Sequence, residues 1–249
     1  MAQNGANKSI TSIATICENF LCKEVFQELK KACLDHAENI NTAKTEETNR
    51  TIIAEDWVGQ NTATEKDKNY LMRKVTHAIK GEMIRRQIIR ANAGYEYWTN
   101  INKQQNYHYD CDEGLRQKHG ILRFPVISTV FYISCPTQQE INKGSLILHK
   151  ETDNIKAIYD LYKKKEDNLS LEIQKIEPKE NRLVFFPPRI PHKVEPWRGG
   201  TRISLAVNFW KHRPLEESYT DTQLVRTLLR MQIDRQNKNI QQSTKQRPL

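Results

Sequence analysis

The sequence predicts an α+β protein in which amphipathic helices precede an antiparallel β-sandwich or barrel and a capped helix closes the chain. Three observations lead there. Apolar residues recur at three- and four-residue spacings up to about residue 92. After Gly94, short segments rich in aromatic and β-branched residues are divided by turn residues. Those segments follow one another without the crossover helices that a parallel sheet requires. The expected divisions are 1–92, a helical region packing on the core; 93–215, the strand-rich core; and 216–249, a helix and polar tail.

In residues 8–40, Ile13, Ile16, Phe20, Leu21, Val25, Phe26 and Leu29 give the spacing of one or two amphipathic helices. Residues 41–51 are polar and read as a loop. From about Lys66 to Arg90, Leu71, Val75, Ile79, Met83, Ile84 and Ile88 form one apolar stripe, with basic residues mostly off it, as expected of a helix packed on a sheet. Strands are expected at Tyr95–Ile101, Val126–Ser134, Ser145–His149, Ser170–Ile176, Leu183–Phe186 and Thr201–Phe209, with a short helix within 152–168. Thr220 or Asp221 caps a final helix through Leu224, Val225, Leu228, Leu229 and Met231. Residues 235–249 are polar and expected to be disordered.

Composition narrows the class of function. The chain has 249 residues, 37% of them apolar and 28% charged, and no apolar run approaches the roughly 18 residues of a membrane helix. The first residues lack the charged-then-apolar layout of a signal peptide, so the cytoplasm is the expected location. Five cysteines, an odd number without zinc-ligand spacing, are expected to be reduced, mostly buried thiols. The net charge of +9 is spread along the chain with no nucleic-acid-binding motif, so nucleic acid is a weakly supported partner. Nothing in the sequence sets the oligomeric state.

The chemistry-bearing residues begin with His108-Tyr109-Asp110, which places an imidazole and a carboxylate at i and i+2, on one side of a strand end. His192, in Pro-His-Lys-Val after an apolar strand, is the candidate third ligand. Two imidazoles and one carboxylate leave three octahedral positions open, an arrangement suited to ferrous iron. Arg202 follows ten residues after His192, beyond a glycine turn, and Ser204 faces the same way. An inward guanidinium is costly unless paired, and a dicarboxylic acid supplies a partner with matching geometry. His149, in an alternating strand, is the main competitor for a ligand role. Asp112 and Glu113 read either as supports for the ligands or as solvated loop acids.

From about Tyr97 to Trp210 the chain resembles the 2-oxoglutarate/iron(II) dioxygenases, most closely their prolyl-hydroxylase-like branch. The matching pieces, in order, are His108-Tyr109-Asp110, Val130 to Ile133, Gly144-Ser145-Leu146, Arg182 to Phe186, Pro191 to Pro196 and Gly200 to Ser204. The resemblance implies a double-stranded β-helix (jelly-roll) core, with His108, Asp110 and His192 as metal ligands and catalytic residues. It implies Arg202, Ser204 and Tyr132 around 2-oxoglutarate. Asn100 and Asn102, where many relatives have tyrosine, are candidates for its C1 carboxylate, with Asn102 the expected one; structural turn roles are the other reading of both. The cofactor set implied is Fe(II), 2-oxoglutarate and O2, with ascorbate as a further candidate. The reaction implied is hydroxylation of an amino acid, peptide or related small molecule, with release of succinate and CO2. A carboxylate at Asp110 disfavours halogenation, which needs that position free. Trp98, Tyr107, Tyr109, Phe131 and Trp197 are candidates for keeping the pocket dry. The competing readings are a cupin-like metal-binding jelly roll with another activity, which leaves Arg202 unexplained, and a non-catalytic binding module.

Overall fold

A computed structural model describes residues 12–42, 52–56, 70–102, 104–135, 144–150, 173–197 and 200–214. The expected helix within 152–168, the closing helix, the polar tail and residues 43–51 of the loop expected at 41–51 lie outside the described residues; residues 41 and 42 are helical instead.

The elements in chain order are β1 (Thr15–Cys17), α1 (Lys23–Thr42), β2 (Ile52–Asp56), α2 (Tyr70–Arg85), β3 (Gly94–Ile101), β4 (Gln105–His108), α3 (Glu113–His119), β5 (Ile127–Ser134), β6 (Leu146–His149), β7 (Ile173–Ile176), β8 (Arg182–Phe186), β9 (His192–Val194) and β10 (Ile203–Trp210). They form two antiparallel sheets, a larger one ordered β1-β8-β5-β10-β3-β2 and a smaller one ordered β4-β9-β6-β7. The result is a β-rich, jelly-roll-like fold.

Alternation within the strands builds two cores. On one face of the larger sheet, Phe131 and Ile133 of β5, Leu183 and Phe185 of β8, and Ile203, Leu205, Val207 and Phe209 of β10 meet the helices. The helices answer with Phe26, Leu29, Cys33 and Ala37 of α1 and Val75, Ile79 and Met83 of α2, each a stripe at three- or four-residue spacing. On the opposite face, Tyr132, Val184 and Phe186 pack against Leu146, Leu148 and Ile176 of the smaller sheet. Central strand β10 is therefore buried along its whole length.

Three expectations need correction. Thr15–Cys17 is a strand paired with Leu183–Phe185, not part of a helix. Its apolar residues satisfy a helical spacing, but the open edge of β8 offers backbone partners that override it. The region before residue 92 likewise adds β2 to the other edge, along β3. Finally, the stretch after Asp110 contains a helix, α3, which carries no apolar stripe to reveal it. Its signals are the caps: Asp112 accepts from the Leu115 N–H at 2.9 Å, and Gly120 closes it in the left-handed conformation (φ 64°).

The described cysteines are all unpaired, as expected, but only Cys33 is buried and Cys22 is exposed. No helix among the described residues is long and apolar enough to cross a membrane.

Candidate active site

The smaller sheet brings two predicted ligands together by direct pairing. His108 ends β4 and His192 begins β9, and the two are opposed in register. Cross-strand partners project to the same side of a sheet, so both imidazoles point toward the larger sheet. Their ring centres lie 4.2 Å apart. Asp110, just beyond the strand end, turns back so that its Oδ2 lies 3.7 Å from His192 Nε2. One ligand atom from each of the three falls within 4.8 Å of the others.

Backbone carbonyls fix the orientation of both rings. His108 Nδ1 is 2.8 Å from the Asn106 carbonyl oxygen, and His192 Nδ1 is 2.9 Å from that of Ile190. A carbonyl only accepts, so each Nδ1 is a donor, which leaves Nε2 as the nitrogen that each ring can offer to a metal. The Phe186 ring packs edge-on against His192 at 4.9 Å and limits its rotation. Sequence reading placed Phe186 only in a strand; the alternation that sends Val184 and Phe186 toward the second sheet is the signal that locates it.

The cavity at this trio is walled by β3, β5 and β10 of the larger sheet. Arg202, Ser204 and Tyr132 all line it, as does Asn100. Register explains their company, since Ser204 is the partner of Tyr132 on one side and of Asn100 on the other. Arg202 is 1% exposed, and among the described residues no carboxylate pairs with it. Its Nε, the Tyr132 hydroxyl and Asn100 Oδ1 are buried without hydrogen-bond partners among the described residues. A buried donor left unmade costs roughly 1–3 kcal/mol, so a guanidinium held this way fits an anionic ligand that the described residues do not supply. Burial pushes the Tyr132 phenol up, and the nearby Arg202 charge offsets this only in part.

Asn102 departs from expectation. It follows the last residue of β3 with a left-handed backbone (φ 49°), and its Oδ1 accepts from the Arg202 N–H at 2.9 Å. It does not line the cavity; the turn it makes carries its side chain out to the arginine backbone, and Asn100 takes the place facing the ligand space.

The other candidates separate cleanly. Trp98 lines the cavity, whereas Phe131 belongs to the helix-facing core. Tyr109 packs against Phe124, and Trp197 against Arg202. Tyr107 and His149 meet at 2.6 Å, away from the metal-ligand trio, so His149 is not a ligand there. Asp112 and Glu113 are buried rather than solvated, paired with Arg123 and Arg116 respectively.

Against known proteins, residues 96–208 match the family described as "Putative 2OG-Fe(II) oxygenase". The match covers just under half of the chain and spans the strand-rich segment that holds the cavity. No curated protein matches the sequence. Solved structures similar to it include a viral collagen prolyl hydroxylase of Paramecium Bursaria Chlorella virus-1, at 12% identity over 81% of this chain and 91% of that one, with a TM-score of 0.47. A Pseudomonas putida prolyl-4-hydroxylase aligns at 17% identity over 82% and 95%, with a TM-score of 0.45. A Burkholderia pseudomallei oxidoreductase of the 2OG-Fe(II) oxygenase family aligns at 10% identity over 81% and 86%, with a TM-score of 0.49.

Proposed function

We propose that this chain is an Fe(II)- and 2-oxoglutarate-dependent hydroxylase acting on an unactivated C–H bond of an amino acid, peptide or related small molecule. The observation that carries this reading is one cavity holding both the His108–Asp110–His192 trio and a buried guanidinium with no carboxylate paired to it among the described residues.

The residues fit the group they would hold. Two neutral imidazoles with lone pairs on Nε2 and one carboxylate suit a ferrous ion and leave room for a chelating co-substrate. Arg202 would grip the distal carboxylate of 2-oxoglutarate through two parallel hydrogen bonds. Tyr132, protonated at neutral pH because burial raises its pKa, would donate a further bond, and Ser204 another. Asn100 would meet the C1 carboxylate, since its carboxamide can turn its NH2 toward a ligand. When bound, iron, 2-oxoglutarate and O2 supply the oxidising chemistry, with ascorbate as a reductant that keeps the iron ferrous. The chain's own work is to hold these groups in register and to shield them from water with Trp98, Leu146, Phe186 and Val194. Asp110 occupies the position that a halide would need, which favours hydroxylation.

Anaerobic titration with Fe(II) and then 2-oxoglutarate tests the reading. A weak visible charge-transfer band that needs both components is expected; metal binding without the band, or no metal binding, would overturn it. Arg202→Ala removes the distal anchor and should weaken 2-oxoglutarate by roughly 2–5 kcal/mol while metal binding survives. Substrate class is then read from succinate release with pooled amino acids, peptides and tRNA.

A further inference from the structure

We propose that Gly144 and Trp197 are positioning residues for Arg202, fixing where its guanidinium meets the distal carboxylate of a 2-oxo diacid; the inference rests on the co-substrate reading above. The two residues come from different loops, one just before β6 and the other just after β9. They converge on the arginine stem.

Arg202 is held first by its backbone. Its N–H donates to Asn102 Oδ1 and its carbonyl accepts from the Asn102 N–H, each at 2.9 Å. The side chain then runs against Gly144. A Cβ on Gly144 would lie 3.2 Å from Arg202 Cδ, 3.3 Å from Arg202 Nε and 3.2 Å from Trp197 Cβ. Carbon atoms ordinarily pack at about 3.5–4.0 Å, so the missing methyl is what admits the stem. Gly144 also has φ 71°, a conformation that L side chains rarely take. On its flanks the guanidinium carbon lies 5.6 Å from the Tyr132 ring centre and 5.9 Å from that of Trp197. Both aromatic faces attract the cation.

An arginine side chain is long and rotamer-rich, and a two-point grip on a carboxylate needs one of its rotamers. Gly144, Tyr132 and Trp197 fence it on three sides. Because the metal trio sits in the same cavity, the position of the guanidinium also sets the span that a diacid must bridge.

The test uses the full chain loaded with Fe(II) under anaerobic conditions and two ligands. 2-Oxoglutarate reaches both the metal and Arg202; oxalate chelates the metal but has no distal group. Gly144→Ala is expected to weaken 2-oxoglutarate at least tenfold while leaving oxalate and metal affinity within twofold. Gly144→Asn, which tolerates the left-handed backbone yet carries a Cβ, is expected to do the same, and this separates the contact from backbone strain. Trp197→Phe should retain 2-oxoglutarate affinity, and Trp197→Ala should lose it several-fold with oxalate unchanged. That pair carries the test if the Gly144 variants do not fold. Wild-type 2-oxoglutarate affinity in the folded variants, or equal losses for both ligands, would overturn the positioning role alone. Failure of the wild-type chain to bind 2-oxoglutarate would overturn the co-substrate reading, and this inference with it.

Discussion

Each site imidazole is oriented by a carbonyl two residues upstream, Asn106 for His108 and Ile190 for His192, so the same local device prepares both nitrogens for a metal. The residue identities were legible in the sequence, because His-x-Asp and a later Pro-His with an arginine ten residues on are linear features. The tautomers were not, since they depend on where a carbonyl points. Tyr132 is the residue whose contribution is easiest to isolate. Its phenol lies beside Arg202, and burial keeps it protonated as pH rises through neutrality, so it remains a donor there. Tyr132→Phe keeps the ring and removes the donor, so 2-oxoglutarate should weaken by about 0.5–1.5 kcal/mol, with metal affinity unchanged in the same titration. An unaltered ligand affinity would remove Tyr132 from the site. Asn100 and Asn102 show the limit of parity arguments. Both are even-numbered like Trp98, but a positive φ at Asn102 turns one of them out of the cavity.

At the scale of elements, α3 shows how a candidate metal ligand, Asp110, is anchored. Asp110 leads within three residues into a helix whose Asp112 cap is paired with Arg123 and whose Glu113 is paired with Arg116. Arg116 is 1% exposed, so its charge relies on Glu113. Glu113→Ala leaves that guanidinium buried and uncompensated and is expected to cost roughly 3–5 kcal/mol in urea denaturation. A loss under about 1 kcal/mol would mean that water or another acid reaches Arg116. The helix escaped sequence reading because charge pairing, not an apolar face, holds it in place. Strand β4 was hard to read for a related reason, since Gln105–His108 has no alternating apolar set and its pairing with β9 is irregular.

The described residues are layered as helices, larger sheet and smaller sheet, and the candidate site lies between the two sheets. Phe131 ties the outer layers' packing to the site, because it sits one residue before Tyr132 on the opposite face of β5. It is fully buried, with the rings of Phe20 and Phe26 at 5.8 and 6.2 Å. Phe131→Ala should therefore cost about 3–5 kcal/mol and lower Tm. A near-neutral effect on melting would show that the helices do not depend on this sheet for their stability.

The amino-acid order alone determined the antiparallel class, most strand positions, the three metal-ligand candidates and the arginine, because alternation, turn chemistry and ligand spacing are local properties of a chain. Tertiary structure decided what depends on long-range partners. The edge of β8 drew Thr15–Cys17 into a strand, and the opposition of β4 and β9 put His108 beside His192. The turn at Asn102 left Asn100 in the ligand space, and Gly144 met an arginine 58 positions later in the chain. Backbone hydrogen bonds and side-chain contacts between distant segments have no signature in either segment read by itself, and these contacts set the cavity.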